Sequence, residues 1–343
     1  MALSERRARI LALIVDDYVG SAQPVGSQAL VQRHALRLSS ATVRNEMAAL
    51  EEEGLITHPH TSAGRIPSNK GYRYYVGSLM PERDLTAHEQ FTILHQFHQS
   101  ARELEDWVHL AASVLANRLR NVALATQPRV IDVRFKQLQL VELSETRALL
   151  VVVTSDAAVH QQTLEFPVPC DQEYLTRLAN RLNSEWAGKH AAELPVKDAV
   201  EPLSSIESIV VAAVAELLLR EQREALEAPV VEGVRELLRQ PEFDGSDRIL
   251  DTLEAVDDRR LRTAIPTGAV GEDNVAVVIG DENRAGPYQD MSFVLARYGL
   301  PNGASGVLGV LGPTRLAYGD AVAHVRYVSD VLTELVRKFY GEE

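Results

Sequence analysis

The sequence predicts an α+β protein: an N-terminal winged helix-turn-helix followed by a larger body of strands and helices. Three observations carry this. Within residues 1–80, three short helix-like runs precede two strand-like runs that flank a tip rich in Gly, Pro and Ser. Further on, three strand-like runs between residues 129 and 167 are separated from three more beyond Pro266 by a mostly helical block. Charge is also unevenly divided. Residues 1–80 hold nine Lys/Arg against seven Asp/Glu, a net of +2, in a chain of net −13, so the remainder carries −15. That asymmetry suits a small domain that approaches phosphates and a larger one that does not.

Ser4 can cap a first helix, with Glu5 in its first turn and Ile10, Leu13 and Ile14 on one face. "GSAQPVG" ends it, and Ser27 is placed to cap a second, short helix, "QALVQRH". The third helix, within "LRLSSATVRNEMAALEEEGLI", starts at Ser39 or Ser40 as cap and closes at Gly54. Two short helices, a tight turn and a third helix are the order of a helix-turn-helix. At about 100° per residue, Val43, Met47 and Leu50 share one sector, the buried stripe. Ala41, Arg44, Asn45 and Ala48 lie opposite. Long hydrogen-bonding side chains among alanines suit a helix lying deep in a major groove, where Arg reads guanine and Asn reads adenine. The alternative is an ordinary solvated helix face. The acidic run Glu51-Glu52-Glu53 falls at the far end, and recognition helices use their N-terminal part, so the polarity fits.

"LITHPHTSAGRIPSNKGYR" then reads as a strand, Leu55–His58, a tip, and a returning strand, Arg65–Pro67. A ribbon after a helix-turn-helix is a wing. Its small tip residues allow close approach to a phosphate backbone, with Arg65 and Lys70 for charge contacts. The candidate DNA-facing residues are Ser39, Ser40, Ala41, Thr42, Arg44 and Asn45 on the third helix, with His60, Thr61, Ser62, Arg65 and Lys70 from the ribbon onward.

Residues 81–127 read as a connecting helical segment. Thr86 and Glu89 form a capping box, and Phe91, Leu94, Leu104, Trp107, Val108, Ala111 and Leu115 keep a helix period. His95 and His98, three apart, are metal-compatible in spacing but lack further ligands, which favours a solvated helix surface. "RVIDVRFKQLQLVEL", "RALLVVVTS" and "AVHQQTLEFP" form an antiparallel meander, and "DQEYLTRLANRLNSEW" a helix. Residues 204–265 are mostly helical from a Ser204/Glu207 capping box onward. "NVAVVIGDEN", "MSFVLARYG" and "ASGVLGVLGPTRLAYGD" return to strands, and an amphipathic helix runs to about Tyr340. The second strand set is expected to complete the sheet begun by the first, with the helical block inserted between.

Composition excludes several classes. No apolar run approaches the roughly 20 residues that span a bilayer, and Asp16 and Asp17 interrupt the N-terminal apolar stretch that a secretory signal needs. The lone Cys170 leaves no intramolecular disulfide or thiolate zinc cluster. A cytoplasmic, non-membrane protein is expected. "GVLGVLG" and "GPTR" lack phosphate-loop spacing, so Gly306, Gly309 and Gly312 are read as sites of close strand packing. No catalytic constellation has local support, and no cofactor is expected.

"SSATVRNEMAALEEEGLITHPHTSAGRIPSNKGYRYYV" resembles the DNA-binding region of the HrcA family of bacterial heat-inducible transcription repressors. "GVRELLRQPEF", "IGDEN" and "GVLGVLGPTRLAYG" resemble that family's later signatures, so the likeness covers nearly the whole chain. The resemblance implies a winged helix over 1–80, the connecting segment over 81–127, a GAF-like domain over 128–190 and 267–343, and an inserted, mostly helical dimerising domain over 191–266. It further implies a homodimeric, non-enzymatic repressor that binds double-stranded DNA at the CIRCE operator upstream of chaperone genes and is kept active by the GroEL chaperonin. The alternative is a metabolite-responsive winged-helix repressor with its ligand in the GAF-like domain.

Overall fold

A computed structural model gives the fold of residues 3–59, 64–99, 103–130, 134–155, 159–194, 205–224, 229–243, 246–266, 269–271, 275–283, 286–300 and 304–340. Helices and antiparallel strands are mixed along the whole chain, an α+β protein as expected. It divides into two compact units, Met1–Arg129 with Ala228–Glu343, and Val130–Glu227.

The first unit opens with α1 (Glu5–Ser21), α2 (Ser27–Arg33) and α3 (Ser40–Glu52). Ser4 caps α1 through the Arg7 amide, and Ser39 caps α3 through that of Thr42. Ser27 does not cap α2. Gly26 holds the extended N-cap position and its carbonyl closes the first turn to Leu30, which leaves Ser27 buried inside the helix. Ile10, Leu11, Ile14 and Val15 of α1 pack with Leu30 and with Val43, Met47 and Leu50 of α3. Gly54, at φ +72°, ends α3 in the left-handed conformation that glycine adopts without steric cost.

Strands β1 (Ile56–Thr57) and β2 (Ile66–Pro67) form the following ribbon, Ile56 opposite Pro67. Both are shorter than the sequence suggested, for definable reasons. The Leu55 amide is spent on the Leu50 carbonyl at the end of α3, and the Arg65 backbone pairs in both directions with Val25. Helix α4 (Asn69–Tyr74), capped by Ser68, continues as a wider turn over Tyr75–Leu79. A side chain at Gly71 would run into the Leu55 carbonyl. Gly71→Ala is therefore expected to cost about 1–3 kcal/mol or more, the usual range for overpacking. Gly77→Ala, with open space around it, is expected to be neutral or slightly stabilising. Urea unfolding followed by circular dichroism separates the two.

Helices α5 (Ala87–Gln99) and α6 (Leu104–Leu119) come next, and the Thr86/Glu89 capping box forms in both directions. On α5 the buried positions are Ile93 and Phe97, whereas Phe91 is 67% exposed, so its periodic apolar face only partly faces the core. His95 and His98 are exposed. The segment does not stay helical to its end: β3 (Val122–Ala125), buried at every position, already belongs to the main sheet, and β4 (Arg129–Val130) follows.

The second unit holds β5 (Phe135–Ser144), β6 (Arg147–Thr154), β7 (Val159–Glu165), α7 (Gln172–Trp186) and α8 (Ser205–Glu224). The strands form an antiparallel meander in the order β5-β6-β7. Phe135, Leu138, Leu140, Leu150 and Val152 bury against Leu175, Leu178, Leu182 and Trp186 of α7 and Val210 and Val214 of α8. The Asn183 side chain clamps the Leu138 amide and carbonyl at 2.7 and 3.0 Å, satisfying the backbone of β5. Ser204 lies outside the described residues, so its capping box has no structural counterpart there.

The chain then returns to the first unit as β8 (Val230–Glu232), α9 (Val234–Leu238), α10 (Ser246–Ala255), α11 (Asp258–Ala264), β9 (Ala276–Ile279), β10 (Met291–Gly299), β11 (Ala304–Pro313) and α12 (Tyr318–Tyr340). Its sheet runs β8-β3-β11-β10-β9. Alternation along β10 sends Phe293 and Leu295 into a core with Leu237, Phe243, Leu261 and Ile265. Val294, Ala296 and Tyr298 enter the opposite core with α6 and α12. Gly306 and Gly309 sit in β11 where a Cβ would strike the Tyr298 ring and the Val294 carbonyl, the close packing read from the sequence.

Two expectations are thus corrected. The meander does not share a sheet with the later strands, because its apolar face is covered by its own two helices. The inserted piece is accordingly Val130–Glu227, not 191–266, and residues 229–266 supply an edge strand and a helical layer to the main sheet.

Candidate nucleic-acid interface

On α3 the wheel reading holds. Val43, Met47 and Leu50 are buried, while Ser40, Ala41, Arg44, Asn45 and Ala48 are exposed on the other side. The Arg44 and Asn45 side chains make no hydrogen bond or ion pair among the described residues. Ser39 and Thr42 lie at the helix start, their hydroxyls 2.9 Å apart. The helix therefore presents its N-terminal half with two unspent polar side chains between small ones.

The opposite end is held internally. Glu46 meets Arg6 and Arg7 of α1 at 3.4 and 3.2 Å, and Arg7 also contacts Glu53. Glu51 accepts from the Arg65 guanidinium at 2.7 and 2.9 Å and contacts His58. Burial raises the Glu51 carboxyl, but the His58 hydrogen bond and the Arg65 charge outweigh it and hold the group below its ordinary range. Lys70 Nζ donates to the Glu53 carbonyl at 2.8 Å, a cation at the negative end of the helix. Glu51 and Glu53 of the acidic run are thus paired with neighbouring cations, while Glu52 is exposed.

Arg65 and Lys70, read as phosphate contacts, are both already engaged; among the described residues Arg65 Nη1 and two donor hydrogens of Lys70 have no partner. His60, Thr61 and Ser62 lie outside the described residues. Sequence reasoning missed Arg37. It is exposed, two residues before the Ser39 cap, with no ion pair among the described residues. It stands in a turn, outside any helix period, so only its adjacency to that cap could have marked it.

The unit is fixed to the body of the same compact unit. Arg73 donates to the Val277 carbonyl at 2.6 Å and pairs with Glu282, and the rings of Tyr72 and Tyr318 lie 5.8 Å apart. Arg315 donates to the Val19 carbonyl at 2.9 Å. Among the described residues, no helix is long and apolar enough to cross a membrane.

Residues 105–322 match the family model described as the HrcA protein C terminal domain. The chain is 40% identical over 347 residues to a heat-inducible transcription repressor HrcA of Herpetosiphon aurantiacus, covering 100% of this chain and 98% of that one. It is 41% identical to one of Roseiflexus castenholzii, covering 99% and 96%. A crystal structure of a hypothetical protein shares the fold at a TM-score of 0.57 and 24% identity, over 98% of both chains.

Proposed function

The chain belongs to the HrcA family of heat-inducible transcription repressors, and from that premise we propose that it binds the CIRCE inverted repeat upstream of chaperone genes as a homodimer. The family is one of transcription repressors, not of enzymes. The observation that carries the proposal is the outward face of α3, where Arg44 and Asn45 stand unspent among small residues. In this reading residues 1–80 are a winged helix-turn-helix, α3 is its recognition helix and β1–β2 its wing. Arg44 and Asn45 meet base edges in the major groove. Ser39, Ser40, Ala41 and Thr42 sit where the helix N-terminus meets the backbone. The tip residues His60, Thr61 and Ser62, with Arg65, Lys70 and Arg37, face phosphates.

Arg37→Ala is expected to weaken binding similarly on all sequences and to reduce the salt slope by about 1. A titration at several salt concentrations on operator and unrelated duplex checks this. Equal slopes for the variant and the parent protein would remove Arg37 from the interface.

The main sheet with its helices is the GAF-like body, and Val130–Glu227 the inserted unit that supplies dimer contacts. GroEL keeps the repressor active by refolding molecules that have lost the body. β6 and β9 are β-prone and nearly uncharged, and become hazardous once exposed. Footprinting of the purified protein on a chaperone promoter, with and without GroEL after mild warming, tests the whole reading. It expects a symmetric footprint whose occupancy, not affinity, rises with GroEL. Protection of only one half-site, or a change in affinity at constant active fraction, would contradict it.

A further inference from the structure

A cavity of about 560 Å³ opens where the end of α1 meets the body, within one compact unit. Its polar wall carries Arg120, Arg239 and Arg315, against Glu236 alone among the acids lining it. In a chain of net −13 that is a local reversal of sign. The other wall is apolar, with Val19, Leu119, Pro241 and Leu316.

The middle of the wall, Asn121, Gln240 and Arg315, is held by hydrogen bonds, while Arg120 and Arg239 at its edges are exposed. Asn121 Nδ2 donates to the Leu119 carbonyl at 2.7 Å, and Gln240 Nε2 donates to the Arg120 carbonyl at 2.9 Å and to Asn121 Oδ1 at 2.8 Å. Arg315 donates to Gln240 Oε1 at 3.2 Å and pairs with Glu242. Arg120 and Arg239 keep spare donors. The Arg120 guanidinium has no partner among the described residues, and Arg239 spends Nη1 on Glu236. Arg120 moreover sits at φ +52°, the left-handed cap of α6, where glycine would be less strained.

We propose that this cavity binds a small organic oxyanion, a phosphate monoester or a carboxylate, between Arg120 and Arg239, with its carbon skeleton against the apolar wall. Arginine forks match both groups bidentately. The volume lies in the range of small-molecule sites and far exceeds that of a bare phosphate ion. The inference is independent of what α3 binds.

The test is calorimetric titration of the full chain with AMP, glutarate and inorganic phosphate. AMP or glutarate is expected to bind saturably and at least tenfold more tightly than inorganic phosphate. In the Arg120→Ala/Arg239→Ala protein that affinity should fall at least tenfold, while Arg44→Ala leaves it unchanged. Circular dichroism should show the double variant folded, and the milder Arg120→Gln should give a smaller loss in the same direction. The proposal is overturned if neither organic anion binds saturably at millimolar concentration. It is also overturned if inorganic phosphate binds as well as either, or if the folded double variant keeps its affinity.

Discussion

Removing one half of the inverted repeat should weaken binding of the intact protein by about 10²–10⁴-fold, or about 3–6 kcal/mol. In the proposed reading one α3 covers one half-site, and the inverted repeat mirrors the two-fold axis of the proposed dimer. Once the first head is seated, the second binds at the effective concentration set by the tether, with no new kind of contact. Fluorescence anisotropy on full and halved operators, at one salt concentration, reads the difference. Unrelated sequence of equal length should replace the missing half, so that phosphate contacts remain available to both complexes. A loss of less than threefold would mean that a single head supplies the binding.

Replacing Arg44 and Asn45 together by alanine should cost about 2–6 kcal/mol on the operator, and each alone about 1–3. The two are adjacent and need not add. Non-specific affinity should hardly change, since phosphate contacts dominate it, so the specificity ratio falls with the operator affinity. Stability should be nearly unaffected because both side chains are exposed and make no hydrogen bond or ion pair among the described residues. That separation between lost discrimination and kept stability distinguishes base readout from a solvated helix face. Operator and unrelated-duplex titrations, together with thermal melts of the same proteins, give all three quantities.

The face of α3 was legible because helical period alone decides it: three buried apolar residues on one side force Arg44 and Asn45 to the other. The glycines of β11 were legible because a small residue every third position in a strand has few other uses. Partnership across space was not legible. Glu51 and Arg65 are 14 residues apart and meet only because the ribbon folds back on the end of α3. Likewise, alternation shows that one face of the β5–β7 meander is buried but not what covers it, and α7 and α8 do so in place of a shared sheet. The segments Val122–Ala125 and Val230–Glu232 were hidden for the opposite reason. Each is four residues or fewer, inside stretches of helical pattern, and β3 has no alternation because both its faces are covered.

The central claim, that the outward face of α3 reads bases in the major groove, is tested most directly by methylation interference on the operator. Dimethyl sulfate marks guanine at N7, in the major groove, and adenine at N3, in the minor groove. With the parent protein, N7 methylation at symmetric guanines in each half-site should block binding, and N3 methylation beneath the same helix should not. With Arg44→Ala, interference at one guanine per half-site should disappear. Interference confined to adenine N3, or a guanine pattern identical in Arg44→Ala and the parent protein, would contradict the account.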